Sequence, residues 1–239
     1  MAVATFRFHG DLALFLARGR RDRAFEHACA RAATIKHAIE ALGVPHTEAG
    51  RLTVNGEPAT LARIVREGDA IEVFPRGVQE EEGAREFVAD AHLGGLARLL
   101  RMLGFDTLYD NRLSDRDILA IVRREPRIVL TRDRELLKCR EIARGCFVRA
   151  VKPEPQLAEV AARYGLARRM RPFTRCLHCN LPLEALGRQA AAQRVPQSIA
   201  ERYREFSRCP GCQRIYWQGS HWERMRALLA AALATPLPG

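Results

Sequence analysis

The chain predicts an α/β protein in which helices flank a parallel sheet, with a small α+β unit before the sheet and a cysteine-bearing segment after it. Three observations lead to this fold class. Short apolar strands alternate with helices between residue 85 and about residue 170. Strands broken by glycine turns surround one helix in the first 77 residues, and two Cys-X-X-Cys pairs lie beyond residue 171. A chain of 239 residues accommodates such a set of small domains.

The composition is strongly basic, because 39 lysines and arginines oppose 28 aspartates and glutamates and give a net charge of +11. Guanidinium groups pair with phosphates, so nucleic acid is the expected partner. A GC-rich genome would explain the preference for arginine over lysine, but not the net excess of charge. No apolar run nears the ~20 residues of a membrane helix, and residues 12–17 do not resemble a signal peptide. The chain has seven cysteines, an odd number, and an odd number without a secretion signal is typical of a reducing compartment, so we expect a cytoplasmic protein. We expect no membrane partner.

The first segment, residues 1–77, is expected to form a small α+β domain. Thr34 is a typical N-cap for a helix that ends at Gly43, and Asn55-Gly56 is a typical hairpin turn. The expected strands are Ala2–His9, Phe25–Ala28, Leu52–Val54 and Ala70–Phe74.

Three runs in this segment, residues 34–48, 54–57 and 68–75, resemble the β-grasp fold of ubiquitin-like sulfur carriers. The resemblance implies an N-terminal β-grasp domain. Such carriers end in a free Gly-Gly tail that is adenylated and thiolated, whereas this chain continues through Pro75-Arg76-Gly77. Sulfur-carrier activity is therefore not implied, and we expect a structural or docking module with an unknown protein partner.

Residues 78–84 are polar and acidic without periodicity, and we interpret them as a linker. Residues 85–170 then show the alternation that is typical of a parallel α/β sheet. The expected strands are Phe87–Ala89, Thr107–Tyr109, Arg127–Thr131 and Cys146–Ala150. The expected helices are Leu93–Leu103, a helix from Ser114 or Asp115 to about Arg124, Glu135–Ile142 and Pro155–Tyr164.

Aspartates end two of these strands: Asp90 follows the first and Asp133 follows the third. The carboxyl ends of neighbouring parallel strands share one crevice, where α/β sheets build their sites. Carboxylates that converge repel one another unless a cation lies among them, and Mg²⁺ takes oxygen ligands. The alternatives are structural: Asp115 and Asp133 suit helix caps, and Asp117 suits a helix dipole, whereas Asp90 caps nothing obvious.

Three longer runs, residues 89–106, 114–119 and 127–137, resemble the PIN-like nucleases. They most resemble the RNase domain at the C-terminus of the mutator-seven exonuclease, over roughly residues 85–226. The resemblance implies metal-dependent cleavage of RNA by an acidic core that holds Mg²⁺ or Mn²⁺. The implied core residues are Asp90, Asp115 and Asp133, with Asp117 and Glu135 as additional ligands.

Arginines flank this acidic set in the sequence, at Arg98, Arg101, Arg132 and Arg134. They either hold substrate phosphates or lie on solvated helix faces. Arg132 and Arg134 bracket Asp133 and so favour the first interpretation.

The two cysteine pairs predict a zinc ribbon over residues 171–226, formed by Cys176, Cys179, Cys209 and Cys212. Four thiolates close a tetrahedral site, so the zinc is expected to be structural. The insert at residues 182–206 is either a mobile loop or a helical pair. Tyr216 and Trp217 suit either the ribbon core or stacking on single-stranded RNA. Residues 227–239 are expected to be a frayed tail.

The function favoured by the sequence is a metal-dependent ribonuclease of PIN-like type. The alternative is a non-catalytic RNA-binding or ribosome-associated adaptor. A sulfur-transfer or conjugation role for the N-terminal domain is a third hypothesis, which the missing free Gly-Gly end argues against.

Overall fold

The computed structural model describes residues 1–77 and 86–233. The linker expected at 78–84 lies outside the described residues, as does the end of the expected tail, 234–239. None of the described helices combines the length and the apolar character that a membrane crossing requires.

The secondary structure alternates strands and helices along most of the chain. The strands are β1 (Ala2–Phe8), β2 (Phe25–Cys29), β3 (Ala49–Val54), β4 (Glu57–Ala59), β5 (Ala70–Pro75), β6 (Phe87–Ala89), β7 (Thr107–Leu108), β8 (Ile128–Thr131), β9 (Gly145–Phe147), β10 (Glu184–Leu186), β11 (Phe206–Arg208) and β12 (Ile215–Trp217). The helices are α1 (Ile35–Ala41), α2 (Gly94–Met102), α3 (Asp115–Arg124), α4 (Arg134–Lys138), α5 (Pro153–Tyr164), α6 (Arg188–Ala192), α7 (Gln197–Arg202) and α8 (Ser220–Leu233).

The N-terminal sheet has the strand order β2-β1-β5-β3-β4, in which β1 and β5 are parallel and the other pairs are antiparallel. Ile35 and Ile39 of α1 share one buried core with Phe6 of β1 and Val73 of β5. This mixed sheet around one helix confirms the β-grasp prediction. The Thr34 side chain accepts a hydrogen bond from the backbone N–H of the third helical residue, as expected of an N-cap.

The described residues form two compact units, one of 1–77 with 115–147 and the other of 86–114 with 148–233. This grouping differs from the division drawn from the sequence, whose domain boundaries stay predictions. In the first unit, β8 and β9 form a parallel pair in which Val129 lies opposite Gly145. In the second, β6 and β7 form a parallel pair in which Phe87 lies opposite Thr107.

Within the first unit, the β-grasp domain packs on the segment that contains α4 and β9. The His46 ring nitrogen Nε2 lies 3.0 Å from the carbonyl oxygen of Ile142. The backbone N–H of Phe147 donates to the buried Glu48 carboxylate at 2.8 Å. Because both partners in the β-grasp domain are buried side chains, this contact is part of the folded unit.

In the second unit, the ribbon sheet has the order β10-β11-β12, with both pairs antiparallel. The insert contains β10, α6 and α7, so the helical pair is the correct alternative. The expected frayed tail is wrong for residues 227–233, which continue α8. Burial of Leu229, with α8 packed on α5, explains this difference.

Candidate metal centre and acidic site

Four cysteine sulfurs converge in the ribbon. The Sγ atoms of Cys176, Cys179, Cys209 and Cys212 all lie within 4.8 Å of one another. Two tight turns supply them in pairs, and Cys176 and Cys209 are buried. Four thiols at this spacing match the closed donor set of a structural zinc ion, as the sequence spacing predicts.

The charges within this cluster favour a cation. Burial opposes ionisation of Cys212, but hydrogen bonds from the Arg214 backbone and from the other cysteines lower its pKa to about 6. Burial and hydrogen bonding to the Cys212 sulfur raise the pKa of Cys179 to about 12. The Cys212 thiolate therefore forms readily, and its negative charge opposes ionisation of the Cys179 thiol. A divalent cation would offset this repulsion and hold all four sulfurs as thiolates.

The first cysteine turn is held to α2 by a buried arginine. Arg101 donates from Nε to the Thr107 carbonyl at 3.0 Å. Its Nη1 donates to the carbonyl oxygens of Leu177 and His178 at 3.1 and 3.0 Å. Burial lowers the pKa of this guanidinium. From the sequence, Arg101 was expected either to hold substrate phosphates or to lie on a solvated helix face. Its observed role is different: it positions the first cysteine turn.

Asn180, directly after the first cysteine pair, makes a second link that sequence reasoning missed. Its Oδ1 accepts from the Thr107 N–H at 3.0 Å, and its Nδ2 donates to Asp106 Oδ1 at 2.8 Å. Its backbone has a left-handed φ of 65°. Asparagine tolerates that conformation better than most residues, and this preference is the signal that sequence reasoning passed over.

Asp90 ends β6 in the second unit and is almost fully buried, at 9% exposure. Its carboxylate accepts from the His92 N–H at 3.4 Å and lies 3.3 Å from the His92 ring nitrogen Nδ1. The expectation that Asp90 caps nothing is therefore wrong, because it caps the short 3₁₀ turn Ala91–Leu93. A cap accounts for only part of its hydrogen-bonding capacity.

Asp133 lies two residues after the end of β8 in the first unit and caps α4. Its exposed carboxylate accepts from the N–H groups of Glu135 at 2.7 Å and Leu136 at 3.4 Å. The helix ends at Lys138, earlier than the expected Ile142, because the backbone of Cys139 leaves the helical conformation, with a ψ of 133°.

Three of the sequence-predicted acidic residues lie near one sulfur in the first unit. Burial first, and then the charges of Glu141, Asp115, Asp133 and Glu135, raise the pKa of Cys139. The charges of Asp115, Asp133 and Glu135 therefore all act on the Cys139 thiol. Asp117 lies in the first turn of α3 with an exposed side chain.

Comparison with family models matches residues 85–229 to the Mut7-C RNAse domain. The chain belongs to the Mut7-C RNAse domain family. Residues 1–80 match the Mut7-C ubiquitin domain, in agreement with the β-grasp sheet. The resemblance of residues 85–226 to this RNase family is thereby confirmed.

Among solved structures, the chain is similar to the small archaeal modifier protein 1 of Haloferax volcanii. One crystal structure shares 23% identity with a TM-score of 0.26, and covers 31% of this chain and 98% of that protein. A second shares 22% identity with a TM-score of 0.26, and covers 35% and 100%. Comparison with curated proteins finds no match.

The flanking arginines of this Mut7-C chain differ in their surroundings. Arg98 is exposed on α2. Arg134 donates from Nη1 to the Phe15 carbonyl at 3.3 Å, so one of its nitrogens has a structural partner. Arg132 is exposed next to Asp133. Glu135, a predicted ligand, pairs with Lys138 at 2.7 Å.

Proposed function

We propose that the protein is a metal-dependent ribonuclease that hydrolyses RNA phosphodiester bonds at an acidic site on the PIN-like fold. The observation that carries the proposal is the match of residues 85–229 to an RNAse domain family. The proposed catalytic carboxylates are Asp90, Asp115 and Asp133. Binding of one cation by these three carboxylates is part of the proposal.

The proposed donors suit Mg²⁺ or Mn²⁺. Carboxylate oxygens are the ligands that these hard cations prefer, and few protein ligands suffice because the ions retain waters. Asp115 and Asp133 are exposed at the starts of helices, and Asp90 is held at the end of a buried strand. When bound, such a cation supplies Lewis-acid activation of water and offsets the charge that develops on the phosphodiester.

Other residues have supporting roles in this proposal. Asp117 and Glu135 would add negative charge or ligand oxygens. Arg98, Arg132 and Arg134 would bind substrate phosphates, because guanidinium groups match phosphate geometry. Arg134 keeps nitrogens beyond the one that donates to Phe15.

The ribbon would hold structural zinc and help to bind single-stranded RNA. Its four thiols require a reducing compartment, which is the reason for proposing a cytoplasmic protein. The N-terminal domain would act as a docking module for a protein partner. Its last strand ends at Pro75, and the next N–H, of Arg76, donates to the Glu48 carbonyl at 2.9 Å. This anchored exit does not favour a sulfur carrier with a free tail.

The test is cleavage of single-stranded RNA by the zinc-loaded protein with and without added Mg²⁺ or Mn²⁺. We expect cleavage only with the added metal, and its loss in Asp90→Asn. Asparagine keeps the cap at this position because its side-chain oxygen accepts the same hydrogen bond. Cleavage that persists without a carboxylate at residue 90, or without divalent metal, would contradict the proposal.

The second candidate is a non-catalytic RNA-binding or ribosome-associated adaptor. The observation that favours it is structural capping, since Asp90 and Asp133 each have a local role that needs no metal. An adaptor would bind RNA without cleaving it under any metal condition, and the same assay separates the two candidates.

A further inference from the structure

Two adjoining cavities lie in the second unit, next to the ribbon. Their volumes are about 720 and 500 Å³, in the range of ligand-binding pockets. They share the lining residues Leu177, Tyr216, His221 and Met225. The shared walls make them two ends of one groove, which we call the ribbon groove.

The larger end of the ribbon groove is basic. Arg98, Arg101 and Arg214 line it together with His178 and His221, against a single aspartate, Asp110. That aspartate already accepts from the Arg112 N–H at 2.8 Å, so its charge is partly engaged elsewhere. Within residues 1–77 and 86–233, Arg98 has no hydrogen bond or ion pair. Its guanidinium is therefore available to an anionic ligand.

The smaller end is aromatic. Trp217, Trp222, Tyr203 and Phe173 line it. The rings of Phe173 and Trp222 lie 5.0 Å apart at 41°, so they are not stacked flat on each other. Tyr216 lies at the boundary of the two ends, where its hydroxyl is 3.2 Å from Cys176 Sγ.

We propose that the ribbon groove binds single-stranded RNA, with phosphates at the basic end and bases at the aromatic end. This inference rests on the proposed ribonuclease function and assigns that enzyme a substrate-binding site. Cations beside aromatic faces are the combination that single-stranded nucleic acids require, because every nucleotide offers a phosphate and a ring. A purely apolar protein segment laid over the basic end would cover the exposed Arg98 guanidinium without offering it a hydrogen-bond acceptor.

The groove is held in shape by contacts beneath it. The buried Arg101 side chain is fixed by three carbonyl oxygens, which accept hydrogen bonds from its Nε and Nη1. Tyr109, at the basic end, donates from its hydroxyl to the Ala91 carbonyl at 3.1 Å. A Cβ at Gly94 would lie 2.5 Å from that hydroxyl, so glycine is needed for Tyr109 to pack there. A fixed wall reduces the entropy that RNA binding must offset.

Intrinsic fluorescence gives a direct test, because the two tryptophans of the chain, Trp217 and Trp222, both line the groove. The probe is a single-stranded RNA of about ten nucleotides, titrated into zinc-loaded protein without added divalent metal. We expect saturable quenching of the tryptophan emission. An abasic ribose-phosphate oligomer of equal length should bind more weakly and without the quenching.

Substitutions test the contribution of each end of the ribbon groove to RNA binding. Trp217→Ala should raise the dissociation constant for RNA roughly tenfold or more, and Trp217→Phe should restore most of the affinity. Arg98→Ala should weaken binding and reduce the slope of log affinity against log salt by about 0.7. The matched control is Arg224→Ala, which removes an exposed charge from α8 outside the groove lining.

The outcomes separate this inference from the ribonuclease proposal. If RNA quenches the emission and the variants behave as described, the groove is supported even when the wild-type protein cleaves nothing. If the protein cleaves RNA but Trp217→Ala and Arg98→Ala leave its affinity unchanged, the groove assignment is wrong while the ribonuclease stands. Quenching by an acidic peptide but not by RNA would assign the groove to a protein partner and overturn the inference.

Discussion

At the scale of single residues, Asp133 has a structural role alongside the catalytic role that we propose. Its carboxylate caps α4 through two backbone N–H groups, and its charge, like those of Asp115 and Glu135, raises the pKa of Cys139. A structural cap needs an acceptor oxygen, whereas a metal ligand needs the negative charge. Substitutions that separate oxygen from charge therefore distinguish the two roles.

We predict that Asp133→Asn leaves the stability of the protein nearly unchanged, because asparagine is an equally good N-cap. Asp133→Ala should lower the free energy of unfolding by about 1 kcal/mol. Chemical denaturation of the two variants measures the difference. Equal stability of Asp133→Ala and the wild type would show that the cap contributes nothing.

The same scale shows where sequence reasoning stops. The cysteine pairs and Asp90 could be found because their signals are local: a two-residue gap and a strand end. Arg101 could not, because the carbonyl oxygens that bury it come from residues 177 and 178. The need for glycine at residue 95 could not be predicted either, because it comes from Pro153, whose ring would lie 2.5 Å from an added Cβ.

At the scale of elements, the ribbon depends on its metal. Its sheet has three-residue strands, and α6 and α7 are each shorter than two helical turns. Such a segment buries too little apolar surface to be stable alone, so metal binding should contribute to its folding.

We predict that Cys176→Ser lowers the zinc content and the thermal stability together. Cys146→Ser is the matched control, since Cys146 is a buried cysteine outside the cluster. Zinc content by elemental analysis and melting by circular dichroism measure the two quantities. A Cys176→Ser protein that retains a full equivalent of zinc would contradict the four-cysteine site.

In the turn before β5, the Asp69 carboxylate accepts hydrogen bonds from Arg63. The two side chains form hydrogen bonds of 2.7 and 3.1 Å, and the Arg66 N–H donates to Asp69 at 2.8 Å. Hydrogen bonding from Arg63 is the main cause that lowers the pKa of Asp69. The folded state therefore binds this proton less readily than the unfolded state does.

The stability from Asp69 should accordingly be present in full above the ordinary pKa of about 4, and be lost as pH falls through the lower folded value. Asp69→Asn should cost about 1–3 kcal/mol at neutral pH, and the difference should shrink in acid. Denaturation across pH measures it. Glu141→Gln, at an exposed ion pair with Arg123, is the control and should change the stability less than Asp69→Asn does, because solvent screens an exposed pair. A pH-independent difference for Asp69→Asn would contradict this account.

At the scale of the whole molecule, the sequence predicted the kinds of domain but not how the chain groups them. Thr34, Gly43 and the hairpin turn give the β-grasp domain local signals. The packing of Glu48 on Phe147 joins residues 99 positions apart, and no local pattern reports such a contact. The short strand β4 was also missed, because Glu57-Pro58-Ala59 is not typical of a strand.

The central proposal is that Asp90 and Asp133 hold the same cation. Binding of Mn²⁺ to the zinc-loaded protein, followed by electron paramagnetic resonance, tests this most directly. We predict that Asp90→Asn and Asp133→Asn each abolish the same binding step, and that the double variant loses nothing further. Mn²⁺ affinities that are unchanged in either single variant, or losses that add independently, would contradict a shared site.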